Sequence, residues 1–94
     1  MNIKELEKII IKLPLLRQRV ISLFFRKRKK VLTKNEIGKG IGKSGRALGG
    51  VLGGFTQHQK IRLITQVSQD RWAINEEYEN NLKKIIYRLD KYIW

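Results

Sequence analysis

The hydrophobic period changes twice along this chain, and those changes limit what it can fold into. Over residues 3–55 the apolar positions recur three and four apart. From Ile61 they alternate, through Leu63, Thr65 and Val67, break at Ser68-Gln69-Asp70, and alternate again at Trp72 and Ile74. The helical spacing returns with Tyr78, Leu82, Ile85, Ile86, Leu89 and Ile93. Three-and-four spacing lines one face of a helix, and alternation lines one face of a strand. The pattern therefore predicts a mainly α fold with a small β-hairpin. The turn of that hairpin lacks Gly, which points to a longer or distorted loop. At 94 residues the chain has material for one domain over 1–94.

Within the helical stretches, Ile3, Leu6, Ile9, Ile10 and Leu13 form a first stripe that Pro14 ends, because proline has no amide hydrogen and crowds the preceding turn. Leu15, Leu16, Val20, Leu23 and Phe24 form a second stripe. The run Arg26-Lys27-Arg28-Lys29-Lys30 follows it, favoured by the negative end of the helix dipole. Val31 and Leu32 offer no more than a bridge of strand. Thr33-Lys34-Asn35-Glu36 reads as a capping box that opens a short helix carrying Ile37 and Ile41. Gly38, Gly40 and Gly42 then suit a tight turn. Ser44 is the next cap, and Ala47, Leu48, Val51, Leu52 and Phe55 predict an amphipathic helix to about Gln57. Two helices joined by a glycine-containing turn is helix-turn-helix logic.

Several functions are excluded as expectations. No Cys and a single His leave no disulfide, thiol nucleophile or zinc site. Gly42-Lys43-Ser44 is not a phosphate loop, because Ile37 stands where that motif needs Gly. His58 has no spaced carboxylate or hydroxyl partner, so it suits a cap or a phosphate contact. Glu76, Glu77 and Glu79 suit the positive end of the last helix. No catalytic residue, cofactor or metal is expected. The apolar runs at 9–11 and 20–25 fall short of the roughly 20 residues of a bilayer span. The opening Met-Asn-Ile-Lys-Glu-Leu-Glu lacks the order of a secretory signal. A cytoplasmic, nucleoid-associated location follows as the expectation.

Charge supplies the positive lead. The net charge is +13, and residues 15–30 alone contribute +7 while 76–94 sum to zero. Such a surplus on a small surface repels itself unless a polyanion answers it, and nucleic acid is the first candidate.

The order helix, short strand, capped short helix, glycine turn, helix, hairpin, helix over residues 15–75 resembles the winged helix-turn-helix family. The resemblance rests on Leu32-Thr33-Lys34-Asn35-Glu36-Ile37, on residues 44–55 as a recognition helix, and on 63–75 as a wing closing with Trp72, Ile74 and Asn75. Residues 1–14 and 76–94 are then additional N- and C-terminal helices. The resemblance implies that 44–57 enters the DNA major groove, that the wing at 60–75 touches backbone or a neighbouring groove, and that the N-terminus of the short helix meets phosphate. The chain departs from that family in its Gly- and Lys-rich turn and in a recognition helix poor in base-reading side chains.

With Leu48 at the centre of the buried face, steps of about 100° place Arg46, Gly50, Gly53 and Gln57 near the opposite face, flanked by Gly49 and Gly54. Either the bare face admits DNA backbone, or Gly49 and Gly54 serve tight packing within the domain. Of the side chains used in direct readout only Arg46 and Gln57 qualify, so affinity is expected from phosphate contacts and specificity is expected to be modest. The candidate DNA contacts are Lys34, Lys39, Lys43, Ser44, Arg46, Gly50, Gly53, Gln57, Lys60, Arg62 and Arg71, with Arg26, Lys27, Arg28, Lys29 and Lys30, although a basic run at a helix end also serves as a solvated terminus.

A small double-stranded-DNA-binding transcription regulator is the leading expectation. The helices at 3–13 and 78–93 are expected to pair as a homodimer, because a three-helix core leaves two apolar stripes to cover. Folding back onto the same domain is the alternative. An RNA-binding, ribosome-associated or chromatin-type protein, and a protein-interaction module of a replication or defence complex, are the other readings. Trp72 is expected to anchor the wing to the core, and Trp94, being terminal, to be disordered.

Overall fold

A computed structural model describes residues 1–56 and 61–94. In chain order it contains α1 (Ile3–Lys12), α2 (Leu15–Arg26), β1 (Val31–Thr33), α3 (Lys34–Ile41), α4 (Gly45–Gly53), β2 (Ile64–Ser68), β3 (Arg71–Ile74) and α5 (Glu79–Ile93). The protein is mainly helical with a small antiparallel sheet, as the periodicity predicts. The sheet has three strands in the order β1-β3-β2 rather than a hairpin alone.

Local chemistry sets most boundaries. Asn2 caps α1 by accepting from the Glu5 amide at 2.9 Å. Pro14 separates α1 from α2, and the Gln18 amide side chain donates to the freed Leu13 carbonyl at 2.8 Å. The capping box at α3 is complete, with the Glu36 amide donating to Thr33 Oγ1 and the Thr33 amide to Glu36 Oε1, both at 3.1 Å. At the hairpin, Ser68 faces Arg71 across the turn and Gln66 faces Trp72, so Val67 is bulged out. The loop itself is the short turn Gln69-Asp70 rather than a longer one, and the irregularity lies within β2 at Val67.

Leu32, Ile64, Trp72 and Ile74 point from the sheet into one core shared with Ile21, Phe24, Ile37, Leu48 and Phe55. Trp72 is 4% exposed and anchors the hairpin to that core. Leu6 and Ile10 of α1 and Leu82, Ile85, Ile86 and Ile93 of α5 belong to the same core. Both outer stripes are thus covered within the chain, and the reason for expecting a homodimer through 3–13 and 78–93 is gone.

Three expectations are corrected. Gly38 and Gly40 lie inside α3, not in the turn. A Cβ at Gly38 would meet the Lys43 carbonyl at 2.7 Å and Leu48 Cδ2 at 2.9 Å, and one at Gly40 would overlap the Leu23 side chain. Their role is to let α3 cross α4 and α2 closely. Of the three glycines only Gly42, with φ of 69°, turns the chain in the left-handed region at the end of α3. The second correction is that α4 ends at Gly53 instead of near Gln57. The third is that Trp94 is anchored: its Nε1 donates to Ser22 Oγ at 2.9 Å and to Asp90 Oδ1 at 3.1 Å.

Candidate nucleic-acid interface

The N-terminal ends of α3 and α4 meet at a shallow groove lined by Lys34, Lys39, Lys43, Ser44 and Asp70, among others. The close crossing at Gly38 brings the two helix starts together, and the Lys34 amide donates to the Asp70 carbonyl at 2.7 Å, holding the hairpin tip against the start of α3. Lys34, Lys39, Lys43 and Ser44 are all exposed there.

The two helix starts differ in what they can offer an anion. At α3 the Glu36 carboxylate already occupies the first turn. It accepts from Lys29 Nζ at 2.9 Å as well as from the Thr33 amide, and these bonds lower its pKa from 4.5 to about 2. That occupancy argues against the phosphate contact the resemblance implies for this end. At α4, Ser44 holds the N-cap position without a side-chain capping bond, the first turn contains no acidic residue, and the first intrahelical amide to find an acceptor is that of Leu48. Unpaired amides at the positive end of a helix, beside Lys43 and Arg46, are the better phosphate receptor.

Along α4, Leu48 and Leu52 face the core while Arg46, Gly49 and Gly50 are exposed. A Cβ built at Gly49, Gly50 or Gly53 meets nothing within 4 Å, so none of the three is required by packing. Gly54 is different, because a Cβ there would overlap the Arg17 guanidinium. That guanidinium donates to the Val51 carbonyl at 3.1 Å and the Gly50 carbonyl at 3.4 Å, closing the C-terminal end of α4. Of the two flanking glycines, then, only Gly54 serves packing.

The structure splits the remaining candidates. Arg71 and Arg62 are exposed, Arg71 on the outer sheet face in register with Thr33. Arg26 is taken: its guanidinium holds Asp90 at 2.7 Å and lies 4.7 Å from the centre of the Trp94 ring. Arg28, Lys29 and Lys30 line a different groove, between α2 and α5, as does the Arg26–Asp90 pair itself, and this groove shares no residue with the first. Lys27 is exposed and lines neither groove. Gln57, His58 and Lys60 lie outside the described residues. Arg17, Lys83 and Tyr87 were not anticipated. Tyr87 could have been found as an aromatic residue off the apolar stripe of its helix.

Comparison with protein-family models, curated proteins and solved structures finds no match. Among the described residues no helix is long and apolar enough to cross a membrane.

Proposed function

We propose that this protein is a winged helix-turn-helix that binds double-stranded DNA with little sequence preference, placing α4 in the major groove and the β2–β3 hairpin against the backbone. A small transcription regulator is its simplest setting. The element order from α2 to β3 and the strand order β1-β3-β2 are compatible with that architecture. The observation that carries the reading is the outer face of α4: bare at Gly49, Gly50 and Gly53, open to solvent, and entered from an uncapped N-terminus flanked by Lys43 and Arg46. A face without side chains can approach DNA closely yet read few bases, which leaves affinity to phosphate contacts from Lys34, Lys39, Lys43, Arg62 and Arg71.

Gel-shift titration of random duplex DNA across a salt series tests this. Binding should weaken steeply with salt, and Lys39→Ala with Lys43→Ala should flatten the slope by roughly 0.9 log unit for each phosphate no longer neutralised. Absence of duplex binding at low salt overturns the proposal. A selection returning one strict motif of many base pairs per chain overturns the sequence tolerance, and tighter binding of duplex RNA overturns the choice of DNA.

A further inference from the structure

The α2–α5 groove is a second cationic surface, built from parts the first does not use. Arg28, Lys29 and Lys30, in the link between α2 and β1, form one wall. Lys83, Tyr87 and Lys91 stand on the other, spaced four residues apart along α5 and therefore in one row. Lys29 is hydrogen-bonded to Glu36 and Lys30 forms a looser ion pair with Glu79, whereas Arg28, Lys83 and Lys91 have no carboxylate partner among the described residues. Tyr87 sits between the two lysines, and 88% of it is exposed.

Arg28 carries a second signal. Helix α2 ends with the Lys29 amide donating to the Phe24 carbonyl at 3.0 Å and the Arg28 amide to the Phe25 carbonyl at 3.3 Å. In that ending the residue at position 28 must be left-handed, a place usually given to Gly, and Arg28 has φ of 54°. An arginine is kept where its backbone is strained, and its guanidinium is delivered to the groove.

We infer that this groove binds a single strand of nucleic acid, its phosphates lying along Arg28, Lys83 and Lys91 and a base stacking on Tyr87. The chemistry of the walls selects that occupant. The floor residues Phe24, Ile74 and Ile86 are 1%, 5% and 3% exposed, so the apolar surface the groove offers comes mainly from the exposed rings of Tyr87 and Tyr92, with half-buried Phe25 and Leu89: flat aromatic faces beside cations, which suit bases better than the aliphatic stripe of a peptide helix. A duplex keeps its bases stacked inside and offers none of them to the exposed Tyr87 ring. A cationic groove with an exposed aromatic ring is the general solution for single strands.

The inference stands independently of duplex binding at α4. Fluorescence anisotropy with a labelled oligothymidine of about 12 nucleotides, within the site size of such grooves, tests it. Tyr87→Ala, a change at an exposed ring that leaves the core intact, should weaken binding roughly tenfold, and Lys83→Ala with Lys91→Ala should lower the salt slope. Lys39→Ala with Lys43→Ala should leave oligothymidine binding unchanged, and saturating duplex should not displace the strand. Unchanged binding by Tyr87→Ala, full displacement by duplex, or equal competition by an oligoglutamate peptide each overturns the inference. If duplex binding fails while the Tyr87 effect holds, the proposal for α4 falls and this one stands.

Discussion

Gly49 and Gly50 stand in the interior of a helix with open space where a Cβ would project, and Arg28 stands in a left-handed position where a Cβ is unwelcome. Stability alone would exchange these choices. Alanine at either glycine should raise the unfolding free energy by about 0.5–1 kcal/mol, through the backbone entropy that glycine loses in a helix. Denaturant titration measures that gain, and duplex affinity of the same variants should fall as the added methyl groups hold DNA backbone away. Arg28→Gly should likewise stabilise by about 1 kcal/mol, the order of the left-handed penalty for a residue with a side chain. Gly54→Ala should gain less: its Cβ would push the flexible end of Arg17 off the last carbonyls of α4, and the loss of those bonds offsets the backbone gain. Glycine at 49 and 50 and glycine at 54 look alike in sequence. Only the neighbour that arrives from α2 separates them.

The seam between α2 and α5 shows the same dependence on partners distant in sequence. Ser22 is fully buried on α2 and donates to Asp90, which also receives Arg26 and Trp94 Nε1, while Arg19 donates to the Ile93 carbonyl at 2.8 Å. The Arg26 guanidinium, with help from Ser22 and Trp94, holds the Asp90 carboxyl below its ordinary pKa of 3.8. Asp90→Ala removes the acceptor from three donors and should cost about 1–3 kcal/mol by thermal or chemical denaturation, the range for unsatisfied polar groups. What could be read in advance was local: the period of each stripe, the stop at Pro14, the capping box, the turn near Asp70, and the proximity of Lys34, Lys39 and Lys43. What could not be read depends on contacts between elements. Gly38 and Gly40 resembled turn residues because their purpose, a close helix crossing, belongs to α4 and α2. The basic run at 26–30 reads as one set of free cations, yet within the one groove that Arg26 and Arg28 both line, Arg26 is paired with Asp90 while Arg28 has no carboxylate partner among the described residues. Trp94 looked free because its partners are 72 and 4 residues away.

For the molecule as a whole, one core takes in the stripes of α1 and α5, so sedimentation should give a monomer at tens of micromolar. A dimer would require a surface other than those stripes. The excess charge then governs how this monomer responds to solvent. Among the described residues only four ion pairs answer the cations, and all four involve exposed side chains of small individual worth. Net repulsion among the remaining cations outweighs them, so adding salt up to physiological ionic strength should raise the melting temperature while it weakens duplex binding. Acid works the other way. Glu36 has a folded pKa of about 2 against an ordinary 4.5, so its contribution is fully present above pH about 4.5 and is lost as pH falls towards 2. Over that window the unfolded chain takes up the proton first, and the protonated molecule also gains net positive charge. Stability should therefore fall monotonically below pH 4.5. Replacing Lys29 with Ala, which removes the largest cause of the Glu36 shift, should reduce the share of that fall assigned to Glu36 and move its carboxyl titration, followed by NMR, back towards the ordinary value. A titration of Glu36 unmoved by the loss of Lys29 would mean that the capping box alone holds the carboxylate.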